Sequence, residues 1–152
     1  MDYFVSGAHL DYLWRLLLAL SAGAVIGLNR FLRQKAAGMR THALVSLGSA
    51  MAVLLFPDSD SVSRVAQGVL TGVGFIGAGV IMRNGIEQVQ GLTTAASVWT
   101  CAILGIVCGV GEPIVVAMGV VLILFVLVIG RPIERRVARL LKEELGPHDK
   151  SG

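Results

Sequence analysis

The chain has 152 residues, of which 55% are hydrophobic and only 15% charged, with a formal net charge of +3. Soluble domains carry roughly 25% charged residues, so a water-facing globule is excluded. Anionic lipid headgroups account for the surplus of bases, and no nucleic acid is called for.

Five apolar runs follow one another: Leu10–Leu28, Thr41–Pro57, Val65–Met82, Gly91–Val110 and Pro113–Gly130. A helix needs roughly 20 apolar residues to cross the hydrocarbon. Only helices and closed barrels satisfy every backbone amide there, and these runs lack the alternation of a barrel. The expected fold class is therefore all-α: a polytopic transmembrane bundle of five helices over residues 1–130. Residues 131–152 are expected to form a cytoplasmic amphipathic tail. The short connections leave no space for an ATPase module or a large sensor.

Met1–His9 carries one acid and no base, unlike a cleavable leader, so the first run is expected to stay as the first helix. That helix has a small-xxx-small pair, Gly23 and Gly27, extended by Ala19. Arg15, five residues in, either snorkels outward or lines a polar cleft. Of 13 Lys and Arg, eleven fall in the first-to-second gap (Arg30, Arg33, Lys35, Arg40), the third-to-fourth gap (Arg83) and the tail (Arg131, Arg135, Arg136, Arg139, Lys142, Lys150). The acids Asp2, Asp11, Asp58, Asp60 and Glu112 collect at the other face. The positive-inside rule then gives N-terminus out and C-terminus in.

The second helix has a small polar patch, Ser46, Gly48 and Ser49. Asp58-Ser59-Asp60 reads as a solvated turn in preference to a weak divalent-ion site. In the third run, Gly68, Gly72 and Gly79 share one face, with Gly74 and Gly77 opposite. Two flat faces predict a central helix with neighbours on both sides. Asn84-Gly85 marks a tight turn. The fourth helix carries a stripe of Thr94, Ser97, Cys101, Gly105 and Cys108, with Trp99, Ile103 and Ile106 opposite. That stripe is a packing seam or the wall of a pocket. Cys101 and Cys108 lie about 10 Å apart along the helix, too far for a disulfide, and read as small buried residues in preference to a redox or metal pair. Val120–Ile129 has no small or polar residue, which puts the fifth helix at the bundle edge against lipid. In the tail, Ile133, Val137, Leu140, Leu141 and Leu145 share a face apart from Arg135, Arg136, Arg139 and Lys142, with Pro132 in the first turn. Such a helix lies on the inner leaflet or docks a partner.

Three segments are more specific than membrane filler: Lys35–His42 (KAAGMRTH), Gly72–Ile81 (GVGFIGAGVI) and Gly91–Trp99 (GLTTAASVW). Their order and spacing resemble the bacterial MgtC/SapB membrane family, with its KPAGLRTH, GIGFLGAGxI and GLTTAASxW pattern. The likeness runs from about Arg15 through Cys108. It implies an inner-membrane protein tied to growth at low magnesium and, in pathogens, to survival inside host cells. It also implies action on another membrane complex, the proton-driven ATP synthase; from the residues themselves no cofactor is expected. Longer members add a cytoplasmic C-terminal domain. The chain departs from the pattern at Asn29, where Glu is frequent, at Ala36, where Pro is, and at Thr93, where members tied to low magnesium carry Asn.

The residues carry their own reading. Thr41 and Thr93 are suitable N-caps where the second and fourth helices enter the basic side. Two helix N-termini beside Lys35, Arg40 and Arg83 form an anion-binding arrangement, with His42, Thr94 and Ser97 close by in sequence. Lipid phosphate with ordinary capping is the plainer alternative. No Asp or Glu lies in the body of any run, where ion paths usually place them. The Gly72-x-Gly74-x-x-Gly77 string lies inside an apolar run with no strand before it, so it is no dinucleotide site, and no catalytic or metal constellation is present. The expectation is a non-enzymatic, regulatory membrane protein that binds another membrane complex. The alternative is a transporter or channel for Mg²⁺ or a small solute, acting as a homo-oligomer.

Overall fold

The computed structural model describes residues 2–56, 58–84 and 88–144. The elements are α1 (Asp2–Leu32), α2 (Met39–Leu54), α3 (Ser59–Val80), β1 (Met82–Asn84), β2 (Gln88–Gln90), α4 (Leu92–Val110) and α5 (Pro113–Glu144). The fold is helical apart from a small antiparallel ribbon, in which Met82 pairs with Gln90 and Asn84 with Gln88. The turn expected at Asn84-Gly85 thus begins at the end of β1, and Gly85 lies outside the described residues.

Helix boundaries follow local chemistry more than hydropathy. α2 starts at Met39 because Gly38 takes the cap position in extended conformation. Thr41 is inside the first turn and is not the N-cap. α3 starts at Ser59, well before the apolar run, because the Asp58 carboxylate accepts the Ser61 N–H at 2.7 Å. The Asp58-Ser59-Asp60 segment is therefore a helix start. α4 is capped at its N-terminus by Gly91, at φ +93°, and not by Thr93. A Cβ at Gly91 would collide with the Val80 carbonyl, so both space and conformation demand glycine there. At the far end Gly111 (φ +96°) donates to the Val107 and Cys108 carbonyls, a left-handed cap. α5 does not stop at Gly130. It continues through Pro132 to Glu144 as one helix, so no separate tail helix begins after Gly130. Pro132 lacks an N–H, which removes one helical bond but leaves the helix running on. Leu145 and Lys150 lie outside the described residues.

The central element is α4, which packs against α1, α2, α3 and α5. The expectation that the third helix is central is corrected: α3 is at the edge. A Cβ added at Gly68, Gly72, Gly74 or Gly79 would meet nothing within 4 Å. Only Gly77 packs, its added Cβ falling 3.6 Å from the Ala95 Cβ. The working glycines are on α1 and α4. Gly23 lies against the His42 carbonyl and Ala43, and Gly27 against Met39 and His42. Gly105 lies against Ser46 and Ser49, and Gly109 against Ala50 and Val53. α2 is thereby held between two glycine seams, which allow backbone approach closer than side chains permit. Ala19, Ile26, Ala50, Cys101, Cys108 and Val116 complete the core, and both cysteines are free thiols buried in it.

The outside is apolar. Phe75 is 85% exposed and Ile114 74%, and Val121, Leu122, Phe125 and Val126 of α5 are exposed with them. Exposed apolar area of this extent belongs in lipid. Three helical stretches are long and apolar enough to cross a membrane: His9–Leu32, Leu92–Val110 and Pro113–Leu141. Of the other two, α2 has 16 residues, about 24 Å of rise against a core of about 30 Å. α3 is long enough, but Asp60, Ser61, Ser63, Arg64 and Gln67 make its first half polar.

Candidate anion site at the start of the fourth helix

α1 and α4 run antiparallel, so the end of α1 meets the start of α4. Ala19, Gly23, Ile26, Gly27 and Arg30 recur at helical spacing on the buried face of α1. The stripe therefore carries an arginine into the bundle. Arg30 is only 3% exposed, and its guanidinium donates to Thr94 Oγ1 at 2.7 Å. Its Nε–H has no acceptor. Among the described residues no carboxylate lies within salt-bridge distance of it; the pair recorded there is Arg15 with Asp11 at 2.7 Å, at the other end of α1.

Thr94 links Arg30 to a second buried group. Ser97 Oγ lies 2.8 Å from the Thr94 carbonyl and 3.0 Å from His42 Nε2. His42, 0% exposed, has Nδ1 2.8 Å from the Gly38 carbonyl. A carbonyl only accepts, so Nδ1 carries the proton; the single Ser97 hydroxyl proton, donated to the Thr94 carbonyl at 2.8 Å, is shared with His42 Nε2 at 3.0 Å. Ser46, deeper on the same face of α2, leaves its hydroxyl unpartnered. The stripe of Thr94, Ser97, Cys101, Gly105 and Cys108 is thus a packing seam whose first turns carry a polar chain.

Above this chain opens a cleft of about 780 Å³. Arg30, Arg33, Lys35 and Arg131 supply its charge, Gly91 to Thr94 its floor, and Glu134 is the one acid lining it among the described residues. The first helical bond of α4 runs from Ala95 N–H to the Gly91 carbonyl, and no side chain caps this end. The amides of Leu92, Thr93 and Thr94 therefore have no helical acceptor, and the positive pole of the helix faces the same space. The Lys35 ammonium is held below its ordinary value, first by burial, then by Arg131, Arg30 and Arg33. Burial leads that lowering, and the three neighbouring cations add to it.

Of the residues proposed from sequence, Lys35, Thr93 and Thr94 line this cleft, while His42 and Ser97 sit behind it. Arg40 is exposed and does not line it, and Thr41 is half-buried in α2. Arg83 belongs to β1, and its side chain lies outside what is described. From sequence alone Arg30, Arg33 and Arg131 read only as loop and tail bases. The signal for Arg30 was present, since it continues the Ala19, Gly23, Gly27 stripe.

A family model described as "MgtC family" matches residues 16–136. Protein MgtC of Salmonella typhimurium is 47% identical over 103 residues, which cover 66% of this chain and 44% of that protein. Protein SrpB of Synechococcus elongatus is 45% identical over 125 residues, covering 72% of this chain and 69% of its own. A protein of Escherichia coli K12 named "Putative magnesium transporter YhiD" is 43% identical over 113 residues, covering 66% and 52%. The chain thus spans less than half the length of the Salmonella relative. No solved structure matches it.

Proposed function

The chain belongs to the MgtC family, and from that premise we propose that it is a regulatory, partner-binding protein of the bacterial inner membrane, with no catalytic chemistry of its own. All five helices enter the bilayer, N-terminus out and C-terminus in. The short α2 and polar-ended α3 are accommodated against α4, and the basic residues around Arg30 face the cytoplasm. The end of α5 carries Ile133, Val137 and Leu140 opposite a row of arginines, suited to the inner leaflet. The open glycine face of α3 leaves room for a second copy of the chain. The partner is another membrane complex, for which the resemblance offers the ATP synthase.

One observation carries this reading over transport: among the described residues the buried polar groups are Arg30, His42, Ser46, Ser49, Thr94 and Ser97, without a carboxylate among them. A magnesium path needs oxygen ligands of matching charge. Here a dication entering from the basic end would first meet four cations. The name of the Escherichia coli relative supports the opposite reading. Flux through liposomes of the purified protein separates the two. Imposed Mg²⁺ and proton gradients are expected to give no saturable uptake above empty vesicles. Saturable uptake that changes in an Arg30→Gln variant would reverse the assignment.

A further inference from the structure

We propose that the cleft between the end of α1, the start of α4 and the Arg131 turn of α5 is a binding site for a phosphate group, free or carried on a lipid headgroup. The inference deepens the reading above and rests on it only for which side of the membrane the site faces.

Three independent features converge. The first is Arg30, buried to 3% exposure in an apolar bundle with Nε unpartnered and no acid in reach among the described residues. Burying an unpaired charge costs several kcal/mol, so a site that keeps one is built to receive a counter-charge. The second is the ring of Arg33, Lys35 and Arg131 around the same space, with Glu134 the one acid lining it among the described residues. The third is the uncapped start of α4, with three amides directed along the helix axis toward that space.

The stoichiometry of charge and donors selects the ligand class. A carboxylate brings one charge and two oxygens, which leaves most of these donors unmatched. A phosphate brings up to two charges and three or four oxygens, suited to arginine forks and backbone amides together. Arg30 reads the group from below, with its guanidinium oriented by Thr94 Oγ1. The Ser97–His42 pair fixes Thr94 from behind. Arg33, Lys35 and Arg131 close over it from the rim.

The test uses the full chain in neutral detergent, and in nanodiscs of phosphatidylcholine with or without phosphatidic acid. Inorganic phosphate is titrated against chloride at constant ionic strength, and the midpoint of thermal unfolding is read. Millimolar phosphate is expected to raise the midpoint if the source is soluble; phosphatidic acid alone is expected to raise it if the source is lipid. Arg131→Gln, an exposed position that does not threaten folding, is expected to weaken the effect about tenfold, the loss of one charge-assisted contact. Arg30→Gln is expected to abolish it. Should Arg30→Gln fail to fold, Arg131→Gln and Lys35→Gln carry the test. Arg64→Gln, bonded only to Ser61 beyond the far end of the bundle, is expected to respond like the wild type. A protein that responds to neither phosphate nor phosphatidic acid overturns the site, and so does a response undiminished in both Arg131→Gln and Lys35→Gln. Binding in detergent is independent of orientation. Failure here thus leaves the topology standing, and external labelling at position 35 would sink the topology while leaving the site.

Discussion

Gly105→Ala isolates the seam on which the site is mounted. A Cβ at this position would overlap the Ser46 carbonyl oxygen and fall 2.8 Å from both Ser46 C and Ser49 Cβ. Comfortable carbon contacts begin near 3.5 Å, so the α2 and α4 backbones must separate by more than half an ångström. Neither obstacle is a flexible chain end; one is main chain and the other a Cβ. Overpacking of this kind costs about 1–3 kcal/mol, and a backbone obstacle places it in the upper half. By the scaling for domains of this size, a loss of about 2–3 kcal/mol lowers the midpoint by roughly 4–12 °C. Gly72→Ala is the matched control, since nothing lies within 4 Å of its added Cβ. There the gain in helix propensity, up to about 1 kcal/mol, leaves stability unchanged or slightly raised. Both are read by thermal unfolding in one detergent at one protein concentration. Equal midpoints for Gly105→Ala and wild type, or a Gly72→Ala variant as damaged as Gly105→Ala, would refute the placement of α4 at the centre and α3 at the edge.

The chain should also respond to pH at its two ends in the same sense but in separate windows, alkaline at Lys35 and acid at Asp58. Lys35 is held below its ordinary value of 10.5 in the fold by burial, Arg131, Arg30 and Arg33. Between the folded and unfolded values the unfolded chain binds the extra proton, so stability rises with pH through that window. Unfolding midpoints taken up to about pH 10.5 should climb in the wild type and stay flatter in Lys35→Gln, and phosphate protection should fade over the same range as the ammonium discharges. Asp58 is held below the usual carboxylate range, first by the Ser61 amide that it caps. A depressed acid contributes stability above its unfolded value and loses it as pH falls through the folded one. Hydrogen exchange at residues 59–62 should therefore quicken in Asp58→Ala at neutral pH, and in the wild type only in acid.

Much of this was legible in the sequence, for reasons that differ from element to element. Run length found the cores of all five helices, because burial or lipid demands apolar residues wherever the chain is inside. It missed the start of α3 and the far end of α5, where Asp58 capping and plain helix continuity through Pro132 decide and hydropathy carries no signal. Glycine content pointed to the wrong helix. A glycine is a packing site only when a neighbour is present, and neighbours are a property of three dimensions. Gly68 and Gly72 have the sequence form of a seam and nothing opposite, whereas Gly105 and Gly109 have the seam. At the site, the expectation of an anion rests on two helix starts, at Thr41 and Thr93, beside Lys35, Arg40 and Arg83; of the described side chains among these, Lys35 and Thr93 line the cleft. Arg30 was hidden by its sequence position, because a base just after an apolar run looks like a loop base until its helical phase is followed from Ala19.

The two arginines of α1 separate a capping role from the proposed anion site. They are fifteen residues apart, about 22 Å of rise, and meet opposite ends of α4. Arg15 donates to the Gly109 carbonyl at 3.0 Å and the Val110 carbonyl at 3.1 Å, and pairs with Asp11. It neither snorkels free nor lines a cleft; it caps the negative pole of α4, where a cation belongs. Arg30 is at the positive pole, among other cations, with one hydroxyl as partner. These contacts predict that Arg15 stabilises the fold and that the cluster around Arg30 opposes it through mutual repulsion. Opposite signs follow on neutralisation in phosphate-free buffer. Arg15→Gln should lose about 1–2 kcal/mol by removing two carbonyl contacts and a dipole interaction. Arg131→Gln should gain a few tenths, a screened repulsion between exposed groups being small. The gain should invert to a loss when phosphate is added, and should shrink with added chloride. Thermal midpoints of the two variants with and without phosphate give all four signs. If Arg131→Gln destabilises the empty protein, the basic cluster is a structural element held by contacts of its own, and the argument for a missing anion fails with it.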